Sequence, residues 1–364
     1  MMTVRPRSLL TLAASLILGL AGCADRPDWL QPTPMGSYTG SHAQPQATVQ
    51  AAVQAAVQPA VQPASLPARI YVANESSNDV SVIDATTFQP VGTISALNHS
   101  THDLAVSRDG RRLYATNLAS GRVSVIDTLR RETIASIYTG ERCHVVALTN
   151  DDTQLWVANI GENTISIIDT KTFRILGTIP VAKGPTGLTF SHDGRFAFVS
   201  SQGDKTVGVL DTATHQVIKI IPVGANPHFL VVSRDGYVWG VNTGQNDIYV
   251  LDPETHEKVG TFTVGDKPQQ IAFAYKGTSG AIAYVTVGSQ NKVIGLGGDP
   301  KDLKIVDEIA VGEGPNGIWS NQEGTRLFVA HDKGNEIRVI DTGTGQTLAT
   351  VPVGRKPIRV VVSR

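Results

Sequence analysis

A unit of 42 residues, Thr153 to Gly194, recurs before and after itself until the chain ends, and no other feature restricts the fold so tightly. It reads TQLWVAN IGENT ISIIDT KTF RILGTIPV AKGPT GLTFS HDG. Four short runs rich in Val, Ile, Leu, Thr and aromatics alternate with clusters of Gly, Asn, Asp and Lys, the sequence form of four antiparallel strands joined by tight turns. The closing Asp193-Gly194 lies between two apolar runs and predicts a type I′ hairpin turn, with positive φ at both central positions. Counted from Arg69, the units end at Gly110, Asp152, Gly194, Gly236, Gly280, Gly324 and Arg364, seven in all and 40 to 44 residues long. One four-stranded sheet of this size cannot bury both faces, so the units must stack, and stacking in a closed ring leaves only short, protected edges.

Polarity orders the strands within a unit. The run after each Gly-Pro or its equivalent (LAVS, VVALT, GLTF, FLVV, IAF, GIW, RVVV) is almost continuously apolar, as an innermost strand flanked on both sides must be. The run before it (EKVGTFTV, KIVDEIAV) carries more charge and suits an outer rim. With the apolar run as strand A, Arg69 opens on strand B and the chain ends on strand A at Ile358 to Ser363. The expected fold is all-β, a seven-bladed β-propeller of four-stranded antiparallel blades over residues 69–364, its ring closed by the C-terminal strand pairing with the first blade.

Marker residues recur in place: YVAN at Tyr71, YATN at Tyr114, WVAN at Trp156, WGVN at Trp239, and Asp84, Asp127, Asp169, Asp211, Asp252 and Asp341 at the end of the third run. In these residues the whole stretch from Arg69 to Arg364 resembles the YVTN-repeat family of seven-bladed β-propellers. Repeat six departs most, with VTVG at Val285 and GLGGDP in place of the usual Asp-Thr. The recurrent Asp residues look like a carboxylate series, but a residue present in nearly every unit is expected to cap a turn through its side-chain oxygen.

The N-terminus reads as an address. Arg5 and Arg7 precede an apolar run from Leu9 to Ala21, the layout of a secretory signal peptide over residues 1–22 and too short for a permanent membrane span. Leu20-Ala21-Gly22-Cys23 looks like a bacterial lipobox. That resemblance implies cleavage before Cys23, lipidation of its thiol, and anchoring in the bacterial cell envelope; Ala24 after the Cys favours the outer membrane, with the propeller facing the periplasm or the cell exterior. Residues 23–68 shift to Ala, Gln, Pro and Val, and Pro59 and Pro63 interrupt any helical stripe, so the segment reads as a tether. Its reach as a flexible coil is roughly 35 to 40 Å. With Cys23 consumed, Cys143 has no disulfide partner and is expected as a small buried hydrophobe.

Lys+Arg 31 against Asp+Glu 32 leaves a formal net charge of -1, so no global positive field gathers nucleic acid, and none is expected as a partner. No G-x-S-x-G elbow, P-loop or C-x-x-C occurs. Gly312 to Gly317 matches G-x-G-x-x-G but leads into a strand, whereas a dinucleotide site requires a following helix.

The meander places the D-to-A and B-to-C loops on one face and the A-to-B and C-to-D turns on the other. Aligned starts of the A strands put His102, His144, Thr186, His228, Gln269, Asn316 and Ile358 in one ring at the mouth of the axial channel, with Arg359 one place further on and His331 on the same face. All but Ile358 are candidate ligand contacts. His102, His144 and His228 could hold a transition metal or a tetrapyrrole, because neutral imidazole is a common nitrogen ligand. The competing expectation is a hydrated channel whose polar side chains satisfy one another and water. Two functions remain open: a monomeric, non-enzymatic lipoprotein binding a protein or small molecule at the loop face, as similarity to YVTN proteins implies, or a cofactor-handling or catalytic propeller, since similar folds serve as lactonases and handle d1-type haem. The fold does not choose between them.

Overall fold

The computed structural model describes residues 66–95, 99–275 and 281–363. The expected signal peptide, the expected lipidation site at Cys23 and nearly all of the expected tether lie outside the described residues. Within them the chain forms twenty-eight strands, β1 (Arg69–Asn74) to β28 (Pro357–Val362), and one short 3-10 turn, Gly288–Gln290. They assort into seven four-stranded antiparallel sheets, six built from consecutive strands. The seventh has the order β28, β1, β2 (Asp79–Asp84), β3 (Pro90–Ser95), so the last strand of the chain is the inner strand of the first blade. The other inner strands are β4 (Thr101–Val106), β8 (Cys143–Leu148), β12 (Pro185–Phe190), β16 (Pro227–Val232), β20 (Pro268–Tyr275) and β24 (Pro315–Ser320). Each lies beside the next around the axis. The all-β seven-bladed propeller read from the repeats is the fold observed.

Both faces of each blade are buried, and strand periodicity divides the side chains between them. On blade 1, Tyr71, Ala73, Val80, Val82 and Val361 pack with Leu104, Leu113, Ala115 and Ile126 of blade 2. The alternate residues Ile70, Val72, Ile83 and Val360 pack with Phe328, Ala330, Ile337 and Val339 of blade 7. Outer strands alternate instead between exposed and half-buried positions, as in Glu132–Tyr138. The expected charge gradient from rim to axis therefore follows burial.

Loops tie one blade to the next. The residue before each inner strand is left-handed in all seven blades: Ser100, Arg142, Gly184, Asn226, Lys267, Gly314 and Lys356. In four blades its N–H donates to an Asn of the preceding B-to-C turn, which is also left-handed: Ser100 to Asn78 (2.6 Å), Gly184 to Asn163 (2.9 Å), Gly314 to Asn291 (3.1 Å) and Lys356 to Asn335 (2.9 Å). Asn tolerates this region better than most residues and supplies the acceptor as well.

Two turn expectations separate. The recurrent Asp residues do cap turns: Asp84 Oδ1 accepts the N–H groups of Thr86 and Thr87, both at 2.9 Å, and Asp211 and Asp341 do the same for the residues two and three places on. The Asp-Gly hairpins are not type I′. Gly194 is left-handed at 72°, but Asp193 is not, and the loop closes four residues long with Ser191 N–H donating to Phe196 O. Asp193 accepts instead from the Ser191 hydroxyl (2.6 Å) and the Arg195 N–H (3.0 Å), bonds that a two-residue turn would not permit. Repeat six keeps its blade by lengthening the outer hairpin, pairing Asp299 with Asp302 between strands of eight and nine residues.

Ring closure rests on β28. It pairs antiparallel with β1 from Ile70↔Val362 to Asn74↔Pro357, and Ser363 N–H adds a bond to Arg69 O at 2.9 Å. Ile358, Val360 and Val361 are at most 5% exposed, a burial of on the order of 1.5–3 kcal/mol for each side chain. Deleting residues 358–363 is expected to lower the melting temperature by roughly 10 °C or more and to cause aggregation through the bared edge of β1. A melting temperature within a few degrees of the parent would show that this strand does not close the ring.

Candidate functional site

Seven left-handed residues turn the chain downward into the channel, so the second residue of every inner strand faces the axis at the loop end. His102, His144, Thr186, His228, Gln269, Asn316 and Ile358 all line a funnel of about 290 Å³ there. Glu75, Asp332 and Lys356, from B-to-C and D-to-A loops, complete its rim, which puts those two loop classes on one face as expected. Lys356 Nζ lies 2.9 Å from Glu75 Oε2, so these rim charges neutralise each other.

The three histidines meet. His102 and His144 have ring centroids 4.1 Å apart, tilted by 44°, and His228 stands edge-on to His144 at 5.1 Å. His228 comes from two blades beyond His144; the intervening position holds Thr186, short enough to let the imidazoles touch. His144 Nδ1 donates to Thr186 O at 3.0 Å, and the Thr186 hydroxyl donates to Pro227 O at 2.9 Å, linking blades three, four and five. With Nδ1 protonated, Nε2 of His144 is left as an acceptor. The His102 imidazole meets the His144 backbone and that of His228 the Gln269 backbone, as His144 meets that of Thr186, while the buried Oδ1 of Asp332 has no hydrogen-bond partner among the described residues. Burial disfavours the charged imidazolium. It takes His228 down to about 4 and, with His228 and Lys356 nearby, His102 to about 3; burial and the neighbouring histidines hold His144 well below its ordinary value. All three are neutral at pH 7.

A metal centre at His102, His144 and His228 is not supported. One ring pair is tilted and the other edge-on, and among the described residues no group of three or more His, Cys, Asp or Glu could hold a metal ion. Structural metal ligands require their nitrogens to converge at about 2.0–2.1 Å from the ion.

One residue deeper lies a second layer: Asp103, Val145, Gly187, Phe229, Gln270, Gly317 and Arg359. Arg359 belongs here and not to the mouth. Its Nε is 2.8 Å from Asp103 Oδ1, an ion pair too bent for a hydrogen bond, and its Nη1 donates to Gln270 Oε1 at 3.0 Å. The guanidinium also sits 4.9 Å from the Phe229 ring centroid and 5.8 Å from that of Trp319, within cation–π range. Asp103 Oδ2 accepts the Val146 N–H at 3.0 Å. Burial pushes the Asp103 carboxyl up, against the lowering effect of Arg359. Two members of the layer must be glycine: a Cβ on Gly187 would stand 2.1 Å from His228 O, and one on Gly317 2.8 Å from Ile358 O. Arg359 thus spans the axis as a septum.

His331 is also displaced from the expected set. It is fully buried at the end of its B strand, where four other blades carry an Asn, and its Nε2 accepts the Gly312 N–H at 3.1 Å. The G-x-G-x-x-G stretch leads into β24, as read from the sequence. Cys143 is buried, its thiol pushed up to about 11 by burial. Sequence reasoning missed Asp103 and Gln270. The signal was present: the alignment that gives the histidine ring, moved one place on, sets an Asp and an Arg at the same level of otherwise apolar strands.

Residues 131–239 match the model of the YNCE-like beta-propeller family. No curated protein matches the chain. Among solved structures, hydrazine synthase of Kuenenia stuttgartiensis is similar at 21% identity and TM-score 0.67, over 79% of this chain and 99% of that one. The periplasmic gluconolactonase of Pseudomonas aeruginosa is similar at 18% and 0.68, over 82% and 99%. Dihydro-heme d1 dehydrogenase NirN, solved in complex with DHE, is similar at 15% and 0.62, over 84% and 77%. At such identities the likeness is one of fold. Seven four-stranded blades in a ring make this chain an all-β seven-bladed β-propeller, and the YNCE-like match lies within that ring.

Proposed function

We propose that this protein is a ligand-binding propeller that takes a small, uncharged, hydroxyl-rich molecule into the histidine-lined funnel, and that it works at a bacterial cell envelope, anchored by lipid on Cys23. The observation that carries the binding proposal is the ring of uncharged polar side chains, His102, His144, Thr186, His228, Gln269 and Asn316, around one cavity. A few polar groups converging on one cavity are what fixes a small ligand's orientation. Hydroxyl donors suit them, because the imidazoles are neutral and the rim cation Lys356 is already paired with Glu75. A volume of about 290 Å³ is at the lower end of ligand pockets, roughly 300–1,000 Å³. That size favours a small molecule over the macrocycle considered from the sequence. The lipobox and tether support the envelope proposal.

Glucono-1,5-lactone and glucose are suitable first probes, the former because a gluconolactonase shares this fold. Calorimetry is expected to give saturable binding of at least one of them, weakened about tenfold, or roughly 1.4 kcal/mol, by His144→Ala. Absence of binding by these and other neutral polyols would overturn the proposal. Hydrolysis of the lactone above the buffer rate, lost in the same variant, would reassign the funnel as a lactonase site.

Titration gives a second test. Unfolded, the imidazoles titrate near 6.5; folded, His102 does so near 3 and His228 near 4. Between those values the unfolded chain takes up protons that the folded one refuses, so stability is complete above about pH 6.5 and falls as pH drops toward 4. The melting temperature is expected to decline across this window, less steeply in His102→Gln. Ligand affinity should stay level from pH 7.5 to about 5.5; a steep fall beginning near 6.5 would mean that the histidines are charged in the site.

For the anchor, Cys23→Ala is expected to move the protein from the membrane fraction to the soluble fraction. Tight membrane association of that variant would refute lipid attachment.

A further inference from the structure

Beneath the Arg359–Asp103 septum the channel widens into a second chamber of about 830 Å³, walled by the C-terminal halves of the inner strands and opening on the turn face. Its character is opposite to that of the funnel. Val106, Ala147, Val231, Phe229 and Trp319 are only half-buried and present apolar surface to the space. Water there finds few of the two to four polar partners that hold it in a protein interior, so its displacement by an apolar group is favourable. Few polar groups interrupt the wall, Thr189 and Ser320 among them, and the charged ones are Arg359 and Asp103 at the ceiling and Arg234, Glu323 and Arg326 elsewhere in the lining.

Charge at the mouth narrows the ligand. The Arg234 guanidinium carbon lies 4.0 Å over the Tyr275 ring, whose hydroxyl accepts the Arg234 backbone N–H at 2.5 Å. Stacking fixes the side chain beside the opening. Among the described residues it has no carboxylate within ion-pair distance, unlike Arg326 on the same rim, which is paired with Asp341 at 2.6 Å. Arg359 at the ceiling is neutralised by Asp103 and the lining carboxylate Glu323 accepts from the Asn321 amide at 2.7 Å, so among the described residues Arg234 is the guanidinium of the chamber without an ion-pair partner.

We propose that this chamber is a second binding site, for an amphipathic carboxylate whose hydrocarbon body fills the space below the septum and whose acid group rests on Arg234. Ligand pockets combine such apolar walls with a few polar groups that set orientation, and Arg is suited to hold a carboxylate bidentately. The site does not depend on the funnel proposal, since the septum separates the two volumes.

Trp319 provides the readout. The full chain carrying Cys23→Ala, to keep lipid out of the assay, is titrated with 11-bromoundecanoate, whose bromine quenches a tryptophan it touches. Saturable quenching is expected, absent in Trp319→Phe. Ala147→Phe, which fills the chamber, should weaken binding about tenfold or more; if that variant does not fold, Val106→Glu places a charge in the wall for the same purpose. Arg234→Gln should weaken the acid several-fold and leave 11-bromoundecanol unaffected. His144→Ala, in the funnel, should change nothing. Absence of saturable quenching, indifference to the chamber variants, or equal loss in His144→Ala would each overturn the site, and equal binding of acid and alcohol by the parent would overturn the acid-specific ligand class.

Discussion

Every side chain at the axis depends on one backbone ladder, that between β28 and β1. A blade is a sheet with two apolar faces, and Val360 and Val361 show why it cannot stand alone: one faces blade 7 and the next faces blade 2. Only a closed ring covers both faces of every blade. The same ladder brings Ile358 into the funnel and Arg359 into the septum, so the closing strand also completes the polar layers of the channel.

Those layers are chemically distinct because consecutive strand residues lie about 3.3 Å apart along the axis. Uncharged polar groups sit in the first layer, a compensated ion pair in the second, and apolar side chains below. Burying an isolated charge is costly, and both charged groups of the septum are met: Asp103 by Arg359 and the Val146 amide, Arg359 by Asp103, Gln270 and two aromatic rings. Burial holds the histidines neutral, which leaves one acceptor nitrogen on each ring.

Residues that recur in most units and residues that do not have separate duties. The recurrent Asp of the third run is spent on turn N–H groups, and the recurrent Asn on loops between blades. Where blade 7 substitutes His331 for the B-strand Asn, the imidazole does the local work by accepting from Gly312. What varies from blade to blade collects at the channel, where seven copies of one position face a common space and each can differ without loss of the sheet.

The sequence by itself determined the ring, its seven units, the strand order within a blade, the closing strand and the face carrying the histidines, because strand period and turn composition are local properties that each repeat states again. It also identified the turn function of Asp84 and its equivalents, for the same reason. Only the tertiary structure decided that His102, His144 and His228 touch without forming a ligand set, that His331 is buried within a blade, and that Arg359 meets Asp103. Those outcomes depend on how far side chains from different blades reach across one axis, which the size of Thr186 and the bare backbones of Gly187 and Gly317 control. The hairpin conformation was likewise decided by bonds from Asp193 to its neighbours rather than by the Asp-Gly pair alone. Distances between repeats are set by packing, and packing is not a property of any one repeat.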